Sequence, residues 1–275
     1  MYNELLPYLV CPRCRATLVL QHAVSDPLNE IIGGELACAG CRAAYPIRDG
    51  IADLLGPARP PTPAQITNEW RLTAWLYERA WRPFALTLLS REPFPYRREL
   101  PLLAELIQPQ RGGLFLDVAC SNGLYARALT RARRGAPGHV LGIDHALPML
   151  AQARRFARAA RLRISFVRAE AQALPVGAGL AAGVAIGGSL NEIGDLGGCL
   201  AEVRRVLAPG GRLVAMTLAR AATPAGRLVQ AGLQPGGIMF WSLEELTAQL
   251  ARHGLHTVAV RQDGLVMFHQ AEPGA

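Results

Sequence analysis

The chain contains no lysine. All 29 of its basic residues are arginine, set against 21 acids, for a formal net charge of +8. Together with 28 glycines and 20 prolines, this bias reads as GC-rich coding more than as selection for phosphate contacts. The charge admits an RNA partner. However, the arginines at 131, 133 and 134, and at 154, 155, 158, 161 and 163, fall on or near predicted helices, where a solvated face accounts for them about as well, so RNA is not the favoured partner. No uninterrupted run of 18 apolar residues occurs, so no membrane span is expected. The N-terminal stretch Met1 to Pro7 lacks a basic segment leading into an apolar one, so no secretion signal is expected. With 51% hydrophobic and 18% charged residues, extensive disorder is excluded. The expectation is a soluble cytoplasmic protein.

What is present divides into three parts. The 275 residues suffice for one α/β domain of roughly 170–200 residues plus something smaller. Four of six cysteines sit as Cys11-Pro-Arg-Cys14 and Cys38-Ala-Gly-Cys41, while Cys120 and Cys199 stand alone. Paired CxxC units read as a metal site before they read as disulfides. Two such pairs on hairpin tips supply four thiolates at tetrahedral geometry, the donor set of structural Zn2+, with no open position for catalysis. A Gly- and Pro-rich tract at 56–63 then breaks regular structure.

From 65 to 90 the pattern turns helical. Trp70, Ala74, Tyr77, Trp81, Phe84 and Leu88 recur at steps of three and four, and most of these rings are expected in the core. Another helix is expected over 99–107. From 113 onward strand and helix signals alternate, as in a parallel sheet flanked by helices. Strands are expected at 114–118, 140–143, 164–167, 180–186 and 212–218, with Pro209-Gly210-Gly211 as a sharp turn before the last. Ser242 and Glu245 form a capping-box pattern, and Gly254 follows the helix they start. A hairpin of 257–261 and 265–269 closes the chain.

The first strand ends in Asp117-Val118-Ala119-Cys120-Ser121-Asn122-Gly123, a turn of small residues that lets backbone N–H groups approach a nucleotide-like ligand. The second ends in Gly142-Ile143-Asp144, where an acid accepts hydrogen bonds from ribose hydroxyls. Glu170 falls at the tip of the third. Three acids therefore line the carboxyl edge of one sheet, where such folds bind ligands.

These motifs resemble class I S-adenosylmethionine-dependent methyltransferases throughout 113–269, especially the group that includes ubiquinone and menaquinone C-methyltransferases. The segment Val203-Arg204-Arg205-Val206-Leu207-Ala208-Pro209-Gly210-Gly211-Arg212-Leu213 also matches that group. The resemblance implies a Rossmann-like α/β sheet with a terminal antiparallel hairpin and S-adenosyl-L-methionine as methyl donor. It implies that Asp117, Ala119, Cys120, Ser121 and Gly123 contact the methionine portion. Asp144, with His145 beside it, would hold the ribose, Glu170 and Ala171 would flank the adenine, and Gly187 ends the fourth strand at the same site. The family turn commonly carries glycine where Ala119 and Ser121 stand, and both resist the left-handed backbone glycine adopts freely. Leu9 to Cys14, Cys38, Cys41 and Ala44 to Ile51 resemble a small zinc-ribbon family whose eukaryotic members bind and activate methyltransferases, and less closely the zinc module of certain 23S rRNA methyltransferases. Residues 74–82, with the ribbon before and the last strand after, resemble a little-characterised group of plastid and bacterial methyltransferases. The expected organisation is a ribbon at 1–56, a linker and helical substrate cap at 57–110, and a methyltransferase domain at 111–275.

In-line methyl transfer rests largely on proximity. Glu192 is the candidate base, Asn191 and Ser189 orient the acceptor, and Tyr77 and Trp81 are the rings expected to touch it; alternatively Asn191 or Glu192 caps a helix. The favoured acceptor is a small, apolar or aromatic molecule. An RNA methyltransferase and a non-catalytic partner protein are the competing readings. The sequence says nothing of oligomeric state.

Overall fold

Short apolar runs become strands buried on both faces and amphipathic stretches become the helices that cover them. The structure, a computed structural model, describes residues 1–56, 66, 69–76, 78, 82–84, 87 and 94–274. Tyr77, Trp81 and the 57–63 part of the linker lie outside these residues.

Strand β5 is Gly113–Val118, and all of 114–118 is buried. The chain then alternates α3 (Leu124–Ala132), β6 (Gly138–Asp144), α4 (Leu147–Ala159), β7 (Ser165–Arg168), β8 (Ala181–Gly187), α5 (Leu196–Val206) and β9 (Leu207–Leu218). After α6 (Pro224–Leu233) and α7 (Leu243–Arg252) come β10 (Leu255–Asp263) and β11 (Val266–Pro273). Ahead of β5 lie β1 (Leu18–Ser25), β2 (Ile31–Cys38), β3 (Ala44–Arg48), β4 (Ile51–Asp53), α1 (Arg71–Leu76) and α2 (Tyr96–Ile107). Among the described residues these strands form one sheet in the order β1-β2-β3-β4-β7-β6-β5-β8-β9-β11-β10. Strands β7, β6, β5, β8 and β9 are parallel, whereas β11 is inserted antiparallel between β9 and β10. The chain moves outward from β5 through β6 to β7, then crosses back to β8. That reversal leaves a crevice at the carboxyl ends of the central strands.

Strand β9 starts five residues before the expected position. The expected turn survives inside it as a bulge: pairing jumps from Ala181↔Leu207 to Gly183↔Arg212, and Gly210 sits at φ 69°. The terminal strands are longer than expected and meet at Gly264 and Leu265. The capping box of α7 forms as read: the Glu245 amide donates to Ser242 Oγ (3.2 Å), and the Ser242 amide to Glu245 Oε2 (2.9 Å). Gly254 follows it at φ 69°.

The ribbon does not stand apart. Strand β4 pairs in parallel with β7 through Ile51↔Phe166, Ala52↔Val167 and Asp53↔Arg168, so the ribbon continues the central sheet. Leu5, Leu9, Ile31 and Leu36 share one hydrophobic core with Leu141, Val167 and Val176. Several arginines weighed as a solvated face or an RNA surface hold this junction instead. Arg154 donates to buried Glu30 from Nε (2.7 Å) and Nη2 (3.0 Å), and Arg158 pairs with both Glu30 and Asp26. Arg163 pairs with Glu4 at 2.7 Å. The positive charge on α4 and its flank is met by ribbon carboxylates, which periodicity alone does not show.

The aromatic stripe requires a correction. Trp70 and Phe84 are each 60% exposed, and Trp75 is 50% exposed, so these rings are not core. Helix α1 packs against α4, and its Leu72 is also exposed. Among the described residues no helix is long and apolar enough to cross a membrane.

Candidate active site

After β5 the chain reverses through Ala119 to Gly123 into α3. Three residues of this turn are left-handed: Ala119 (φ 53°), Ser121 (φ 49°) and Gly123 (φ 75°). Alanine and serine therefore do adopt the backbone they resist, at a cost of roughly 1–2 kcal/mol each. Hydrogen bonds hold them there. The Ser121 amide donates to Asp144 Oδ2 (2.8 Å) and the Cys120 amide to the Ile143 carbonyl (2.9 Å). Gly142 lies below, and a Cβ there would come within 2.6 Å of the Phe166 ring and 3.1 Å of Cys120 Sγ. Only glycine lets the turn sit so close to the sheet.

Two of the three acids, Asp144 and Asp117, are fixed by backbone amides. Asp144 also accepts from the Ala146 amide at Oδ1 (2.8 Å), and each of its oxygens keeps a further acceptor site. Asp117 is buried and accepts from the Ala126 amide (2.7 Å). Burial, reinforced by the charge of Asp144, pushes its carboxyl up to about 7.

Two hollows open beside these acids. Ala119, Ser121, Asp144, His145, Glu170, Ala171, Gln172, Ser189 and Glu192 line a cleft of about 550 Å³ that is open to solvent. Asp117, Cys120, Asn122, Tyr125, Gly187 and Arg82 line a second of about 280 Å³, and the two meet at Ala119 and Ser121. Asp144 and Glu170 thus line one hollow and Asp117 the adjoining one. Gly123 lines neither hollow; it starts α3.

The second hollow holds residues that sequence reading did not single out. Asn122 is buried, and neither of its amide atoms is hydrogen-bonded to a described residue. Arg82 donates to both oxygens of fully buried Glu99 (2.8 and 2.5 Å), and Tyr125 Oη donates to the same carboxylate (2.6 Å). Asn122 lay inside the recognised turn and only its orphaned amide marks it; Arg82, Glu99 and Tyr125 meet through tertiary packing that leaves no local pattern.

Of the catalytic candidates, Glu192 lines the cleft, and burial, with the nearby charge of Asp144, pushes its carboxyl up to about 7. Ser189 lines it too. Asn191 is corrected: its Nδ2 donates to the carbonyls of Leu218 (2.9 Å) and Met239 (2.5 Å), and its Oδ1 accepts from the Leu218 amide (2.8 Å). This buried amide ties the end of β9 to the loop after α6 and is not turned to an acceptor. Tyr77 lies outside the described residues.

At the far end of the sheet, Cys11, Cys14, Cys38 and Cys41 place their sulfurs within 4.8 Å of one another. Cys14 and Cys38 are 3.3 Å apart, Cys11 and Cys41 3.7 Å, and Tyr45 Oη lies 3.2 Å from Cys11 Sγ. Bonds of roughly 2.3 Å to a tetrahedral ion put sulfurs about 3.8 Å apart, so the four thiols fit such an ion.

Parallel strands ordered β7-β6-β5-β8-β9, an antiparallel strand inserted beside them, and acids at three successive tips define a class I methyltransferase fold. A family model described as a methyltransferase domain matches residues 115–211, and one described as a Trm112p-like protein matches 3–50. An uncharacterized chloroplastic methyltransferase of Arabidopsis thaliana is 29% identical over 224 residues, covering 76% of this chain and 61% of the relative. The demethylmenaquinone methyltransferase of Thermus thermophilus is 41% identical over 44% of this chain and 53% of its own length. The 2-phytyl-1,4-naphtoquinone methyltransferase of Thermosynechococcus vestitus is 30% identical over 62% of this chain and 71% of its own length. Among solved structures, the [4+2]-cyclase SpnF shares the fold with a TM-score of 0.61 at 18% identity, over 80% of this chain and 99% of that one. The chain belongs to the S-adenosylmethionine-dependent methyltransferase family and carries a Trm112p-like ribbon. It spans about half to three fifths of the first curated relatives it matches.

Proposed function

We propose that this protein transfers a methyl group from S-adenosyl-L-methionine to a small aromatic acceptor of the quinone type, with the ribbon closed around a structural Zn2+. The observation that carries the reading is the pair of adjoining hollows lined by Asp144 and Glu170 on one side and Asp117 on the other. The donor's ribose, base and amino-acid parts call for acceptors at three strand tips, and here each tip has one. In the second hollow, unpaired Asn122 beside Asp117 suits the α-ammonium and carboxylate of the donor's amino acid. The acceptor class follows the relatives, two of which are named for naphthoquinone or menaquinone precursors. Apolar Trp70, Trp75 and Phe84 near the crevice suit a flat, apolar acceptor.

The chain's own groups have definable tasks. Asp144 and the turn fix the donor, so that the acceptor's nucleophilic atom meets the methyl group in line. Glu192, raised toward neutrality in the cleft wall, takes the proton that the acceptor loses. The four thiolates leave no open coordination site, so the ion they take is structural.

A labelled-methyl assay tests this. Donor and a reduced 1,4-naphthoquinone should yield label in the organic phase, and Glu192→Gln should lower kcat about a hundredfold with donor affinity retained. Absence both of donor binding and of label transfer to any quinol acceptor would refute the reading.

A further inference from the structure

The cysteine cluster and the donor cleft are joined by a short chain of contacts that neither site requires by itself. The first knuckle is a tight hairpin: the Cys11 amide donates to the Ala16 carbonyl (2.9 Å) and the Arg15 amide back to the Cys11 carbonyl (2.9 Å). This closure holds Arg15 left-handed, at φ 63°. From that fixed position its side chain leaves the knuckle altogether. Arg15 Nη1 donates to the Leu174 carbonyl (2.8 Å), and Nη2 lies 3.0 Å from a carboxylate oxygen of Glu202 on α5. Arg205, one turn further along α5, donates to the same Leu174 carbonyl (2.9 Å), to the Val176 carbonyl (2.8 Å) and to Glu202. The main chain ahead of the knuckle adds two bonds to this segment: the Val10 amide to the Pro175 carbonyl (3.1 Å) and the Gly177 amide to the Tyr8 carbonyl (2.9 Å).

The segment so gripped, Leu174 to Gly177, directly follows the residues that line the donor cleft. Its upstream end is pinned to the sheet, since the Ala169 amide donates to the Asp144 carbonyl (3.0 Å). Glu170, Ala171 and Gln172 therefore form a loop held at both ends: by the ribose-side strand on one, and by the knuckle and α5 on the other. In between, the loop has only a turn bond from the Ala173 amide to the Glu170 carbonyl (3.1 Å) and one from Gln172 Nε2 to the Asp195 carbonyl (3.3 Å), so the position of Glu170 depends on both anchors.

We propose that Arg15 is a positioning residue: it carries the rigidity of the metal-closed knuckle to the Glu170–Gln172 loop, so that metal binding and donor binding favour one another. Without the ion the knuckle rests on its two backbone hydrogen bonds alone, so Arg15 is held less firmly and the downstream anchor of the loop weakens. Linkage requires that donor binding then strengthen metal retention by the same factor. This rests on the donor reading above, but the loop's dependence on the knuckle is testable without any donor.

The test uses the full chain, loaded with Zn2+ or stripped by a chelator under conditions where circular dichroism shows the fold retained. Amide hydrogen exchange should quicken in 170–177 on metal removal, and also in the metal-loaded Arg15→Ala variant, while β5 and β6 stay protected. S-adenosylhomocysteine affinity, measured by calorimetry, should fall roughly five- to tenfold in both cases, the low end of coupling between distinct sites. In Arg15→Ala, removing the metal should add little further loss, and Arg15→Lys should restore part of the affinity. A purely structural role for Arg15 would lower the melting temperature but leave exchange at 170–177 no faster than elsewhere. That result, or Arg15→Ala and metal removal adding in full, overturns the proposal. If the parent binds no donor at all but exchange at 170–177 still follows the metal, the donor reading and its coupling to the metal fail, and only the role of Arg15 in holding the loop stands.

Discussion

Donor binding should release a proton, because Asp117 must ionise to receive a cation. This carboxyl is fully buried and held near neutrality, at about 7, by burial and the neighbouring charge of Asp144. An α-ammonium placed beside it supplies the missing counter-charge, favours the ionised form and pulls its pKa down. Above about pH 8 Asp117 is already ionised, and binding carries no protonation cost. At pH 5.5, about 1.5 units below the midpoint, deprotonation must accompany binding, which weakens affinity about thirtyfold, or ~2 kcal/mol. S-adenosylhomocysteine titrated between pH 5.5 and 8.5, in buffers of different ionisation enthalpy, should show this slope and nearly one proton released at the acid end. Glu192 also titrates near 7, so Glu192→Gln should keep the slope while Asp117→Asn flattens it. Affinity independent of pH, with no buffer-dependent heat, would refute the role given to Asp117.

Three further outcomes follow from the packing. At Ser121, glycine should relieve left-handed strain and leave stability unchanged or raised by up to about 1 kcal/mol; β-branched Ser121→Val should be destabilising, so the two variants should differ by roughly 2 kcal/mol in urea midpoint analysis. Glu30→Gln removes the charge that Arg154 and Arg158 share across the ribbon junction, and should cost about 2–3 kcal/mol, seen as a melting temperature several degrees lower. His269 is fully buried, neither ring nitrogen has a partner among the described residues, and burial pushes its pKa down to about 4. Because the unfolded imidazole protonates near 6.5 and the folded one near 4, the parent loses stability as pH falls across that window. His269→Leu should therefore be the more stable protein, by a margin that grows toward pH 4 at up to about 1.4 kcal/mol per unit. A constant margin would count against it.

The parallel sheet was readable because its strands are short, fully apolar and separated by helices of 3.6 period. The cysteine cluster was readable because two CxxC pairs have the spacing that a tetrahedral metal site calls for. The three acids were readable because each lies at or within two residues of a strand's end, so a local pattern fixes where it lies in the fold. What escaped depends on residues far apart in the chain. Nothing around Ile51 announces that a three-residue strand will pair with β7, 115 residues later, and so merge the ribbon with the central sheet. Asn191 looked like a cleft residue because it follows β8; its partners at Leu218 and Met239 are visible only in three dimensions. The arginines on α4 were read as surface charge because their carboxylate partners lie more than 120 residues upstream. The aromatic stripe had the period of a buried face, but periodicity does not say whether such a face is covered, and Trp70 and Phe84 are exposed.

Calorimetric titration of the metal-loaded full chain with S-adenosylhomocysteine at pH 8.5 tests the central claim most directly. One equivalent should bind, and Asp144→Ala, which removes the ribose acceptor and unpins Ser121, should weaken it at least tenfold, about 1.4 kcal/mol or more. No heat with the parent, or undiminished binding by Asp144→Ala, would contradict a donor site built on these strand tips.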